Sequence, residues 1–180
     1  MMRVDPIPEP TAIRVERVCF HASSVNVSGK AILFLGHSTS GKSTISQLLS
    51  ERYPVIADDK VWVSGSSSSG WLVGDASDDQ FTNADKRIRD EANELIPLLG
   101  VIRIFKSDHN EITSLTEIES CRYMMDAVFE IDFQRRCEDC ELIKGWFSFV
   151  AEIARKKESW GLTFKRDNNI IKTIWNVFEV

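Results

Sequence analysis

The stretch 31-AILFLGHSTSGKSTISQLL-49 decides how this chain is read. Ala31 to Leu35 is apolar without alternation, as expected of a strand buried on both faces. Ile45, Leu48 and Leu49 fall at i, i+3, i+4, so Lys42 to Arg52 is expected to be a helix. Between them, Gly36 to Ser43 is either a simple turn or a cradle for phosphate. The segment fits G-x-x-x-x-G-K-[ST]. Ordinary residue frequencies give a chance match of roughly one in a hundred for a chain of this size. The strand before it and the helix after it favour the cradle.

The chemistry of that loop follows from its residue types. Gly36 and Gly41 allow the backbone to turn so that the N–H groups around Ser38, Thr39 and Ser40 point inward. The helix beginning near Lys42 adds the positive end of its dipole. Lys42 reaches the β- and γ-phosphates, Ser43 is placed to ligate Mg²⁺, and Thr44 satisfies the helix start. The motif makes no demand on the His37 side chain, which receives no catalytic role. The loop by itself indicates a nucleoside triphosphate, not a kinase.

Outward from the loop, 54-PVIADDKVWV-63 reads as a buried strand ending at Asp58-Asp59, followed by a second strand. A carboxylate at such a strand end is the usual acid on the Mg²⁺ side of a phosphate loop. Two adjacent acids allow one to stay ionised beside the metal while the other takes a proton from an attacking hydroxyl. Upstream, Ala12 to Phe20 alternates as a half-buried strand. Ser24 to Gly36 reads as two short strands joined at Ser28-Gly29.

Downstream, Gly65 to Gly70 (GSSSSG) is expected to be a flexible surface loop, and 71-WLVG-74 a short strand. Asp75 to Asn83 is read as loop, and Ala84 to Leu95 as a helix ended by Pro97. Gly100 to Phe105 (GVIRIF) is a strand with alternating faces. Thr116 to Glu119 has the pattern of a capping box opening a helix with Ile118, Cys121, Met125 and Val128 on one face. Cys137 to Lys157 reads as a longer helix, Gly161 to Lys165 as a last strand, and Asn168 to Phe178 as a last helix. The fold class is mixed α/β, a single domain over 1–180 with 1–11 as an extended lead-in.

Composition bounds the function. The chain has 180 residues, 43% hydrophobic and 27% charged, with a net charge of −5. That balance argues against a nucleic-acid binder with a general basic surface. No apolar run is long enough to span a bilayer, and Met1 to Pro10 lacks the pattern of a signal peptide, so a cytoplasmic location is expected. Cys137 and Cys140 have zinc-like spacing without a second Cys/His pair nearby. Ordinary reduced cysteines are therefore expected.

Three segments together resemble a known family: 20-FHASSVNVSGKAILFLG-36, 36-GHSTSGKST-44 and 52-RYPVIADDKVWV-63. A His on the strand before the loop, the loop itself, and an aliphatic strand ending in Asp-Asp resemble the HPr kinase/phosphorylase family. They are most similar to its short relatives, such as lasso-peptide precursor kinases. The resemblance covers about Val15 to Val63 and is faint beyond. The family's Arg-Gly-Leu-Gly run is absent, and SGSSSSGWLVGD stands at 64–75 instead.

The resemblance implies a P-loop fold of the HPr kinase/phosphoenolpyruvate carboxykinase type, a mixed sheet with C-terminal helices. It implies transfer of the γ-phosphate of ATP, with Mg²⁺, to a serine hydroxyl of a peptide or small protein. In that scheme Asp58 is the general base, Asp59 and Ser43 lie on the metal side, Lys42 lies on the phosphates, and His21 tunes the acid pair. The family's tendency to oligomerise implies a homo-oligomer. Arg103, Arg122, Arg135 and Arg136 are the candidates for a transition-state cation, and the sequence does not choose among them. A kinase of a small hydroxylated metabolite, or a nucleotide-binding regulatory ATPase, would need the same loop.

Overall fold

The computed structural model describes residues 15–76, 95–136, 139–165 and 170–178. The expected lead-in, the start of the first strand and almost all of the Ala84 to Leu95 helix lie outside them. The fold is mixed α/β. Its frame is two long strands, β1 (Arg17–Val27) and β6 (Ile96–Lys106), each changing partners along its length.

The first half of β1 pairs antiparallel with β4 (Lys60–Ser66), which forms a hairpin with β5 (Gly70–Asp75); β5 then meets the start of β6. The second half of β1 pairs antiparallel with β2 (Lys30–Leu35) and with β3 (Val55–Ala57). On the far side of β2 the order continues through β6 and β8 (Ser159–Phe164), both parallel links, to β7 (Glu111–Ser114), antiparallel.

β2 is buried on both faces, as its unbroken apolar run requires. Ala31, Leu33 and Leu35 enter one core, with α2 (Glu117–Arg136) and α3 (Cys140–Lys156). Ile32 and Phe34 enter the other, with α1 (Lys42–Leu49) and α4 (Ile170–Phe178). Each of the Leu, Ile and Phe side chains among them, fully withdrawn from water, contributes about 1.5–3 kcal/mol. Because β2 is held this way on both sides, the loop that leaves it at Gly36 starts from a fixed point.

The helices show their local causes. Thr116 and Glu119 form the capping box: the Glu119 carboxylate accepts from Thr116 N at 2.9 Å, and Glu119 N donates to Thr116 Oγ1 at 3.3 Å. Asp139 caps α3 by accepting from Leu142 N at 3.0 Å, and Leu142, Trp146, Val150 and Ile153 are buried. Trp146 meets Phe129 of α2 edge to face, ring centres 6.2 Å apart.

Several expectations are corrected. β1 is one continuous strand, because changing partners halfway lets it run on where a sequence break was expected. β3 is less buried than its sequence suggests: Val55 is exposed and only Ala57 is buried, since among the described strands β3 pairs with β1 alone. Gly65 to Gly70 is not a loose loop but the tight end of the β4–β5 hairpin. There Ser66 Oγ lies within hydrogen-bond distance of the Ser68 and Ser69 hydroxyls. Pro97 lies inside β6, and Leu95 has no helical structure. β6 alternates faces as expected, Val101 entering one core and Ile102 and Ile104 the other, and both faces are buried over residues 100–104. Ile118 is 82% exposed, so the buried apolar stripe of α2 begins at Cys121. α1 ends at Leu49, earlier than Arg52. Strand β7 comes from a segment whose four residues carry no strong strand pattern. Cys121 is buried, Cys140 is exposed, neither is in a disulfide, and Cys137 lies outside the described residues.

Candidate functional site

Three chain segments meet at the carboxyl end of β2. The Gly36–Ser43 loop leaves β2 and enters α1. Asp58 and Asp59 interrupt the run from β3 to β4, and Ala22 N donates to Asp59 O at 3.1 Å across that interruption. His21 lies at the point where β1 leaves β4, opposite Lys60. Together they line one cleft of about 320 Å³: His21, Ser38, Thr39, Gly41 to Thr44, Asp58 and Asp59. Gly36 and Ser40 belong to the loop but do not line it.

The loop is tightly closed. Ser40 N donates to His37 O at 2.9 Å, and Ile45 N donates to Gly41 O at 2.9 Å. Gly36 is buried, and a Cβ there would lie 2.0 Å from Ser40 Oγ. Gly41 has φ +107°, and a Cβ on it would press to 2.9 Å from the Phe164 ring. Thr39 also takes positive φ, at 69°. Ser40 Oγ is buried with no hydrogen-bond partner. The start of α1 has no side-chain cap, so the expectation that Thr44 satisfies it is not met. The first-turn N–H groups of α1 are thus left without a side-chain acceptor.

Lys42 is 7% exposed. Its Nζ donates to Gly36 O at 2.6 Å and to His37 O at 3.3 Å, so the ammonium sits on the loop's own carbonyls. Burial holds its pKa below the ordinary lysine value, and the Arg103 charge adds to that; Glu130, Asp59 and Asp58 oppose it. Asp58 and Asp59 are exposed, Asp59 with 70% of its side-chain surface open.

His21 Nε2 lies 3.4 Å from Asp59 Oδ1. Its Nδ1 is hydrogen-bonded to Glu130 Oε2 of α2. The second Glu130 oxygen is 2.9 Å from His37 Nδ1. Burial acts to raise the Glu130 pKa. The hydrogen bonds from His37 and His21, with the charges of His21 and Lys42, outweigh it and leave the carboxyl below its ordinary range. Sequence reasoning missed Glu130 and set His37 aside. Glu130 is 109 positions from His21 and 93 from His37, and an acid on a helix surface carries no signal of such a partner.

Of the four arginines, Arg103 is 4% exposed and pairs in register with Leu35, the residue before Gly36. Its guanidinium lies 4.9 Å from the Tyr123 ring centre, and its Nε has no hydrogen-bond partner. Burial lowers its pKa, against the raising charges of Asp126, Tyr123 and Glu130. Arg122 is exposed and lies over the Tyr123 ring at 4.8 Å. The side chains of Arg135 and Arg136 lie outside the described residues.

Among the described residues no group of three or more His, Cys, Asp or Glu could hold a metal ion, and no helix is long and apolar enough to cross a membrane. No family model and no curated protein sequence matches the chain. Among solved structures, the chain is similar to the Hpr(Ser) kinase/phosphatase from Coxiella burnetii. Identity is 11%, 88% of this chain and 95% of that one are covered, and the TM-score is 0.43.

Proposed function

We propose that this protein is an ATP-dependent phosphotransferase of the HPr kinase-like P-loop type, which moves the γ-phosphate of ATP to a serine hydroxyl of a peptide or small protein. The observation that carries this reading is the shared cleft. It gathers an uncapped helix start, Lys42, Ser43, two exposed acids and His21 from three separate segments. Phosphoryl transfer asks mainly for positioning and charge neutralisation, and these groups supply both.

The phosphates would lie on the N–H groups of Ser38, Thr39 and Gly41 to Thr44, with Lys42 exchanging the carbonyls of Gly36 and His37 for phosphate oxygens. Ser43 and Asp59 are hard oxygen donors suited to Mg²⁺, which when bound supplies charge neutralisation. Few protein donors are needed where phosphates and water complete the shell. Arg103 is the favoured arginine: it is fixed beside Leu35, and its charge reaches Lys42.

In the transfer step Asp58 takes the proton of the acceptor hydroxyl. The hydroxyl oxygen forms its bond to the γ-phosphorus as the bond from that phosphorus to the bridging oxygen breaks, and ADP leaves. His21 Nε2, 3.4 Å from Asp59 Oδ1, stands beside the acid pair. The exposure of Asp58 and Asp59 suits an acceptor that approaches from solvent, and so favours a peptide over a small metabolite that must be enclosed.

The test is nucleotide binding by calorimetry with and without Mg²⁺. Ser43→Ala is expected to weaken binding only when Mg²⁺ is present. Equal loss in both conditions would remove Ser43 from the metal side, and a wild-type protein that binds no ATP would end the phosphotransfer reading.

A further inference from the structure

A carboxylate can only accept hydrogen bonds, so each imidazole that bonds to Glu130 through Nδ1 must carry its proton there. The two imidazoles come from different places: His21 from β1, and His37 from the loop between β2 and α1. Glu130 comes from α2, so one side chain joins three elements. Lys42 of α1 and Arg103 of β6 also feel its charge.

We propose that Glu130 is a positioning residue of this site: it holds the Nδ1–H groups of His21 and His37, which turns His21 Nε2 toward Asp59 and fastens the Gly36–Ser43 loop to α2. In the neutral ring, His21 Nε2 and Asp59 Oδ1 are both acceptors, 3.4 Å apart. In the protonated ring Nε2–H donates to Asp59 directly. Either state requires the Nδ1 side to be anchored, and Glu130 is the anchor. The same carboxylate carries the link onward, so a shift of α2 reaches His37 and with it the loop. The catalytic half of this proposal rests on the phosphotransfer reading, whereas the anchoring half does not.

The experiment is ¹⁵N NMR of the imidazoles in the full chain, at a pH where they are neutral. The chain has three histidines. The third, His109, faces Asp108 at 2.9 Å and serves as the internal control. In wild type, His21 and His37 are expected to show the Nδ1–H tautomer. In Glu130→Ala both are expected to change to Nε2–H while His109 stays in place.

In Glu130→Gln, which has a single acceptor oxygen, one of the two is expected to change. This milder variant decides the matter should the alanine variant not fold. Turnover in Glu130→Ala is expected to fall about 10–100-fold, as for lost outer-shell partners, with a smaller change in nucleotide affinity. Unchanged His21 or His37 spectra in Glu130→Ala would overturn the anchor, as would a change that includes His109 equally. Tautomers that change as expected with turnover unaltered would overturn the catalytic half alone.

Discussion

The Gly36–Ser43 loop and the Glu130 junction touch each other through His37, yet they are built in opposite ways. The loop is local. Its shape follows from two glycines, one lysine and the elements on either side, all within a few residues. The junction is assembled from β1, the loop and α2; His21 is picked out only through the family resemblance, and nothing in the sequence joins it to His37 or Glu130. The loop is closed by its own backbone and by Lys42 on its own carbonyls. The junction depends on side chains meeting across the fold. A local device survives as a pattern of letters, while a distant one exists only once the sheet and helices have packed.

That contrast can be broken at either end. The largest effect is expected from Asp58→Asn, which removes the proposed base and leaves the loop intact. Turnover should fall roughly 10²–10⁴-fold with nucleotide binding nearly unchanged, as steady-state kinetics and calorimetry would show. Near-wild-type turnover would move the base elsewhere.

Lys42→Ala acts on the loop alone. Hydrogen bonds to charged groups are worth about 1.5–3 kcal/mol each, so nucleotide affinity should fall by about ten- to a hundredfold or more. The His21 spectrum should not respond, because the junction does not need Lys42 as a ligand.

Gly36→Ala tests the closed geometry. The new methyl would meet Ser40 Oγ at 2.0 Å and force the loop to rearrange, costing about 1–3 kcal/mol. A lowered melting temperature together with weakened nucleotide binding is expected. Unaltered melting would mean that the loop is slacker than described.

The smallest effect belongs to the junction and to acid pH. The Glu130 carboxyl is held below its ordinary value of 4.5 in the folded protein. Its contribution to stability is therefore complete above that ordinary value, and is lost as pH falls through the lower folded value. The melting difference between wild type and Glu130→Ala should shrink as pH falls below about 4.5. A difference that grows below that pH would contradict the sign.

What was legible in the sequence follows the same division. The buried strand β2, the loop and α1 could be read because apolar residues and glycines act on their immediate surroundings. The hairpin turn at Ser28-Gly29 and the capping box at Thr116 were legible for the same reason. Asp58 and Asp59 were placed at a strand end and are found at the β3–β4 interruption, next to His21. The course of β1 was not legible, because its continuity comes from β4 and β3 taking turns as its partner.

Arg103 reads as the polar member of an alternating strand. Its burial beside Leu35 depends on the parallel pairing of β6 with β2, which local pattern does not encode. Glu130 looks like one more acid on a solvated helix. Asp126 and Glu130, spaced i, i+4 on α2, were its only faint mark, and such pairs are common on helix surfaces.

The central claim is that the cleft transfers phosphate to a polypeptide. It is tested most directly by incubating the protein and labelled Mg-ATP with a lysate of the source organism, beside Asp58→Asn. A labelled polypeptide band that appears with wild type and vanishes with the variant is the predicted result. Label found only in small molecules or as free phosphate would contradict it.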